Sequence, residues 1–199
     1  MNRHAHSLPP SYFDLCYADD PDPWQFATSA YEREKYAVTL DALPRRAYAS
    51  ALEIGCSIGV LTEALAQRCD ALTAIDLTEL ALAQARVRCR DLDHVRFELA
   101  QVPGQWPEGR FDLILLSEVV YYLDAGDVRS LVARMKGCLR PGGDVVLVHW
   151  TGETHYPLTG DEAAELFVET ARPFLRVQGQ SRTDQYRLDV LTEMQAGPA

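Results

Sequence analysis

A chain of 199 residues, 47% apolar and 24% charged, is long enough to close one domain around a sizeable core and too apolar to stay disordered. Its formal net charge of −10 argues against a nucleic-acid partner, because phosphate backbones are met by clustered Lys and Arg. No apolar run approaches the roughly 20 residues that span a bilayer, so no stable membrane anchor is expected.

The lead, residues 1–11, is polar and reads as disordered rather than signal-like. Tyr12, Phe13, Tyr17 and Trp24 follow among acids and two prolines, Pro21 and Pro23, which predicts a turn-rich aromatic cap over a regular element. Apolar spacing over 26–43 predicts an amphipathic helix stopped by Pro44. That helix can lie across the carboxyl edge of a sheet and turn Tyr31, Arg33 and Lys35 toward a ligand; core aromatics with a solvated charged face is an equal reading.

Residues 50–54 read as a short buried strand, broken at Gly55 and restarting near Gly59 as the helix 60–68. Strands follow at 71–76, 95–99, 111–117 and 144–150, separated by helices at 79–92 and 127–139. The run 111–117 is apolar throughout, as in a central parallel strand buried on both faces. Arg140-Pro141-Gly142-Gly143 stops the helix before the fifth strand. Beyond an irregular loop at 151–159, a helix at 160–171 that Thr159 or Asp161 can cap precedes two strand-like runs, 174–180 and 185–192. Strands alternating with helices predict a doubly wound α/β fold, a mainly parallel seven-stranded sheet ending in an antiparallel C-terminal strand pair.

Five cysteines, Cys16, Cys56, Cys69, Cys89 and Cys138, are odd in number and lack a Cys-x-x-Cys, which supports neither a disulfide framework nor a metal site. A reducing cytoplasm is the expected compartment. The chemistry gathers at Glu53-Ile54-Gly55-Cys56-Ser57-Ile58-Gly59. A strand that turns through glycines into a helix leaves a crevice at its carboxyl end, where open α/β sheets bind nucleotide-like ligands. Asp76 ends the next strand, where an acid can take both ribose hydroxyls. Gly55 and Gly59 also suit a plain strand-to-helix turn with Glu53 and Asp76 as solvated strand ends.

With Phe111-Asp112-Leu113-Ile114 and Leu139-Arg140-Pro141-Gly142-Gly143, these pieces resemble the class I S-adenosylmethionine-dependent methyltransferases from about residue 24 to 192. The segments Tyr31-Glu32-Arg33-Glu34-Lys35, Leu52-Glu53-Ile54-Gly55-Cys56 and Ser117-Glu118-Val119-Val120-Tyr121-Tyr122-Leu123 are similar to the NodS family, nodulation N-methyltransferases of the free amine of a de-N-acetylated chitooligosaccharide. The resemblance implies a Rossmann-like fold and S-adenosyl-L-methionine as cofactor, with S-adenosyl-L-homocysteine as product. It assigns cofactor contacts to Trp24, Arg33, Glu53, Gly55, Cys56, Ser57, Gly59, Asp76, Leu77, Gln101, Val102 and Ser117. Two departures stand out: Ser57 replaces the usual middle glycine, and Gln101 stands where an acid commonly meets the adenine amine.

Methyl transfer is an in-line displacement, so positioning supplies much of the rate, roughly 7–11 kcal/mol of barrier. An amine must be neutral to attack, and Glu118 and His149 end two strands where a base is needed, with Tyr122 beside them and His155 in the following loop. A satisfied core histidine is an equal reading of His149. Residues 1–44 are expected to form a lead, cap and helix over the site, and 45–195 the cofactor-binding domain of one compact whole. The acceptor is expected to be a small-molecule or oligosaccharide amine. O-methylation of a sugar or natural product is the rival within the same chemistry, and a non-catalytic cofactor-binding subunit the rival outside it. Nicotinamide chemistry is disfavoured by the Gly-x-x-x-Gly turn and the lack of a second domain.

Overall fold

Helix α1 (Pro10–Asp19) begins with proline at its first position, where the missing N–H would have had no helical partner and φ is already set. Pro21 and Pro23 lie beyond its end, so they stop this helix rather than prevent it. The aromatic cap is therefore helical through Asp19, against the turn-rich expectation. The next helix, α2 (Ala30–Asp41), starts four residues later than its apolar spacing suggests. Ser29 caps it by accepting from Glu32 N–H, while the carboxylate of Asp22 accepts from Phe26 and Ala27 N–H and turns the preceding chain. The computed structural model describes residues 3–194. Residues 1–2 of the expected lead and residue 195 of the expected domain lie outside them.

Two compact units divide the chain, one made of Pro9–Pro107 and the other of Met1–Leu8 with Glu108–Ala199. In the first, β1 (Ala51–Ile54), β2 (Leu72–Asp76) and β3 (Val95–Leu99) pair in parallel in the order β3-β2-β1. Between them run α3 (Val60–Leu65), continued by a 3-10 turn at Ala66–Arg68, and α4 (Glu79–Arg88). Every residue of β1 is buried, as befits a strand covered on both faces.

In the second unit the order is β4-β5-β7-β6. β4 (Phe111–Ser117) and β5 (Leu139–Trp150) are parallel, joined through a 3-10 turn at Val120–Tyr122 and helix α5 (Ala125–Cys138). β5 begins five residues before its expected start: Leu139 pairs with Phe111, and an irregular step carries the strand past Gly142, whose N–H donates to Glu193, to the regular pairing of Leu113 with Asp144. α6 (Gly160–Ala171) starts at a full capping box between Thr159 and Glu162. β6 (Leu175–Arg182) and β7 (Tyr186–Glu193) form the expected antiparallel pair, with β7 also antiparallel to β5. The seven strands are mainly parallel with flanking helices, the doubly wound class that the alternation of strand and helix predicts.

Residues 3–8 are not the disordered lead that their composition suggests. Arg3 pairs with Glu162, His4 N–H donates to His155 O at 2.9 Å, and Leu8 N–H donates to Tyr122 O at 2.9 Å. Ser7 receives Asp124 N–H at 2.9 Å and donates to Asp127, and Leu8 is buried. Two backbone hydrogen bonds and the polar side chains of Arg3 and Ser7 share this attachment, so the polarity that reads as disorder supplies part of it. No helix among the described residues is long and apolar enough to cross a membrane.

Gly160 is held by space. A Cβ there would lie 2.0 Å from Trp150 O, a backbone atom that cannot swing away. Gly160→Ala is expected to destabilise the protein by about 1–3 kcal/mol, the usual cost of overpacking, read as a lower urea midpoint, whereas Gly137→Ala, which meets nothing within 4 Å, should not lower it.

Candidate functional site

The first unit presents a turn between β1 and α3. Gly55 and Gly59 have φ of 82° and 79°, and a Cβ on Gly59 would stand 3.0 Å from both Cα and Cβ of Ala85. Gly59 therefore has two reasons to lack a side chain, a left-handed backbone and the close approach of α4. Ser57 takes φ 50° without that freedom. For a non-glycine residue this costs roughly 1–2 kcal/mol, and its side chain is held: Ser57 Oγ lies 2.5 Å from the hydroxyl of Tyr17, a buried residue of α1. Cys56 is buried against Ala74 and Leu82, and burial pushes its thiol well up, so it stays neutral.

Asp76, at the end of β2, accepts from Ser57 N–H at 2.9 Å through Oδ2 and from Thr78 N–H at 3.1 Å through Oδ1, with Leu77 N–H adding a third backbone donor. Burial raises its carboxyl despite those donors. A carboxylate offers about four acceptor positions, so room remains for further hydroxyl donors. Glu53 is fully buried, and burial, with a smaller push from the charge of Asp76, raises it to about 7. The Thr62 hydroxyl acts in the opposite direction, yet neither it nor Glu53 Oε2 completes a hydrogen bond of normal geometry. A buried carboxylate oxygen without a donor is costly, and it fits a cationic or hydrogen-bonding ligand.

Trp24 packs edge-on to Tyr17 at 5.5 Å and stacks with Phe26, against a cluster that contains Ile58 of the glycine turn. Leu77 follows Asp76 directly. Gln101 is exposed, its N–H and C=O occupied by Gln105, while Val102 is buried. The indole N–H of Trp106, in the same loop, is buried without an acceptor. Arg33 lies exposed on α2, whereas Lys35 is buried, paired with Glu32 at 3.0 Å and set 5.1 Å above the Tyr31 ring. Lys35 thus belongs to a buried ion pair, the core reading of that helix.

The second unit gathers the expected acid–base groups. Ser117 closes β4, and Glu118 follows with φ 58°, a left-handed backbone in a residue that seldom adopts it. Its Oε2 accepts from the Tyr121 hydroxyl at 2.6 Å and from Trp150 N–H at 2.8 Å. Tyr121 stacks with Tyr156, and Tyr122 meets both rings edge-on at 4.6 Å. Burial, then the charge of Glu118, drives the Tyr121 hydroxyl well up, and burial does the same for Tyr122. These phenols stay protonated and act as donors. His149 is fully buried, and its Nε2 accepts Val120 N–H at 3.0 Å, which puts the ring proton on Nδ1 and makes His149 the brace of the Val120–Tyr122 turn. His155 is exposed in the loop before α6.

Sequence reasoning missed Tyr17, Asp14 and Thr78. Thr78 Oγ1 donates to Asp14 at 2.7 Å, so α1 reaches both the glycine turn and the residues after Asp76. The available signal was Pro9-Pro10 opening a helix in which residues 14 and 17 share a face. Among the described residues no group of His, Cys, Asp or Glu has the arrangement to hold a metal ion.

Comparison with known proteins gives a consistent family. The chain matches the model of nodulation protein S (NodS) over residues 15–152. Nodulation protein S of Sinorhizobium fredii (strain NBRC 101917 / NGR234) is 36% identical over 127 residues, 63% of this chain and 59% of that protein. Trans-aconitate 2-methyltransferase of Deinococcus radiodurans is 35% identical over 127 residues, 62% of this chain and 46% of that protein. The aligned stretch thus spans about half to three-fifths of these relatives. The crystal structure of N-methyltransferase NodS from Bradyrhizobium japonicum WM9 in complex with S-adenosyl-L-homocysteine superimposes with a TM-score of 0.78 at 25% identity, covering 92% of this chain and 97% of that one. With its Rossmann-like methyltransferase fold and a family match across most of its length, the chain belongs to the NodS family.

Proposed function

We propose that the protein is an S-adenosylmethionine-dependent N-methyltransferase that acts on the free amine of a de-N-acetylated chitooligosaccharide or a related amino-sugar. The observation that carries the cofactor assignment is the set Glu53, Gly55, Gly59 and Asp76, with Glu53 Oε2 buried and unpartnered beside a left-handed glycine turn. The residues present fit the cofactor. Asp76 would accept the ribose hydroxyls on its remaining lone pairs, and Glu53 would meet the cationic amino-acid end. Gly55 to Gly59 would lie against the methionine part, with Leu77, Gln101 and Val102 toward the adenine. The family resemblance implies Ser117, Trp24 and Arg33 as further contacts.

When bound, the cofactor supplies an electrophilic methyl group on a sulfonium. The acceptor amine must arrive neutral or be made so, and Glu118 is the group proposed to take the proton. Tyr121 and Trp150 N–H fix its carboxylate, and Tyr122 and Tyr156 pack behind Tyr121. His149 supports this arrangement through the Val120–Tyr122 turn, because its Nε2 lone pair is already engaged. The net charge of −10 favours a cationic amino-sugar over an anionic acceptor. The relationship to ubiquinone biosynthesis O-methyltransferase of Pseudomonas aeruginosa, 33% identical over 100 residues, keeps O-methylation as the second reading. The five free cysteines accord with a reducing cytoplasm as the compartment.

The test offers one chitooligosaccharide in fully N-acetylated and de-N-acetylated forms with labelled S-adenosylmethionine. Methylation of the free-amine form alone is expected; equal labelling of both would establish O-methylation, and labelling of neither would overturn the acceptor class. Glu118→Gln should lower kcat by about 10²–10⁴-fold, the usual contribution of a positioned base, while S-adenosylhomocysteine affinity stays within about twofold.

Glu53 also gives a pH dependence. Its folded carboxyl titrates at about 7, above the unfolded value of about 4.3. Between those limits the folded state holds more protons than the unfolded one. Stability from this group is therefore fully present below the lower limit and falls as pH rises through the window. The size is a few kcal/mol, at about 1.4 kcal/mol for each pH unit that separates the two limits. The melting temperature of the ligand-free protein should decline from pH 5 to pH 8, and Glu53→Gln should flatten that decline; parallel curves for the two proteins would refute the buried-acid reading.

A further inference from the structure

Five residues of the first unit form a chain of hydrogen bonds that leaves α1 and returns to it. The Tyr17 hydroxyl meets Ser57 Oγ at 2.5 Å, Ser57 N–H donates to Asp76 Oδ2 at 2.9 Å, Thr78 N–H donates to Asp76 Oδ1 at 3.1 Å, and Thr78 Oγ1 donates to Asp14 at 2.7 Å. Each carboxylate oxygen of Asp76 is thus gripped from a different side, which fixes the plane of the group. Both grips are backbone N–H groups, and the side chain of each donor residue is anchored to α1. Residues 14 and 17 stand three apart on one helix face, so a single element sets both anchors. Tyr17 and Thr78 are buried, at 7% and 1% exposure, so one partner in each of the two side-chain bonds to α1 is withdrawn from water.

Ser57 explains why an anchor is needed. A glycine would hold φ 50° unaided, and a serine does not. The phenol of Tyr17 compensates for the missing glycine by holding the serine side chain where its N–H faces Asp76.

We infer that α1 is a positioning element for the Asp76 carboxylate, with Tyr17 and Asp14 as positioning residues that set cofactor affinity without touching the reacting atoms. The inference rests on Asp76 as the ribose acceptor. A carboxylate already oriented loses less freedom when a diol binds, so affinity responds and the chemical step does not.

The experiment measures S-adenosylhomocysteine and 5′-methylthioadenosine binding by calorimetry in wild type, Tyr17→Phe, Ser57→Gly, the Tyr17→Phe/Ser57→Gly pair and Asp76→Ala, with the melting temperature of each ligand-free protein. Methylthioadenosine carries the ribose but no amino-acid part. Tyr17→Phe is expected to weaken both ligands by the same factor, about 3–10-fold. Whatever affinity Ser57→Gly has by itself, Tyr17→Phe in that background should cost nothing further. A fall in melting temperature with unchanged dissociation constants, or an equal loss from Tyr17→Phe in both backgrounds, would overturn the positioning role. If Asp76→Ala binds as wild type does, the ribose assignment fails instead; if Asp76→Ala weakens binding and Tyr17→Phe does not, only the role of α1 is lost.

Discussion

A carboxylate withdrawn from water must find donors, and Asp76 finds them in backbone N–H groups rather than in a cation. This choice organises the first unit. Accepting from Ser57 and Thr78 ties the turn after β1 to the start of α4, and the parallel pairing of β1 with β2 brings those two turns side by side. Backbone donors cannot rotate away as a lysine would. They counter the rise that burial imposes on the acid and leave lone pairs still able to accept. Glu53, one strand over, lives under the same constraint without the same relief, for one of its oxygens has no donor. The two acids therefore differ in readiness: Asp76 is oriented in advance, whereas Glu53 is buried at a cost that a cationic ligand would offset.

The second unit places strain where the first places buried charge. Glu118 stands in a left-handed backbone directly after the apolar strand β4, and its carboxylate is fixed by a phenol and a backbone N–H. Such a conformation persists only where the surroundings over-determine it. Here the surroundings are the three packed tyrosines 121, 122 and 156 and the turn braced by His149. His149, which the sequence offers as a base, accepts Val120 N–H through Nε2 and so braces the turn beside that carboxylate.

The strands were legible because period and length suffice for them: β3 and β4 fall where the apolar runs of 95–99 and 111–117 put them, and α6 starts at the Thr159 cap. What escaped was set by single hydrogen bonds. The start of α2 depends on Ser29 and on an Asp22 carboxylate that stops the helix from extending backwards, although apolar residues continue to 26. α1 is not legible from composition because proline breaks a helix at 21 and 23 but opens one at 9 and 10, and only position along the chain separates the two effects. At the site, Glu53, Gly55, Gly59 and Asp76 could be named from spacing alone. Tyr17, Asp14 and Thr78 could not, because their importance lies in side-chain partners more than 35 residues distant, as Tyr17 to Ser57 and Asp14 to Thr78 are.

The attachment of residues 3–8 bears on the order in which the molecule is built. Their partners lie at Tyr122, Asp124, His155 and Glu162, so more than a hundred residues must leave the ribosome before the first ones have anywhere to go. The unit of residues 9–107 pairs its own three strands without them. Residues 3–8 therefore wait for partners made long after them, and such closures between distant parts of the chain are the entropically expensive ones. An extension fused ahead of Arg3 would act on this late step, on yield and folding time, before it acted on anything in the finished fold.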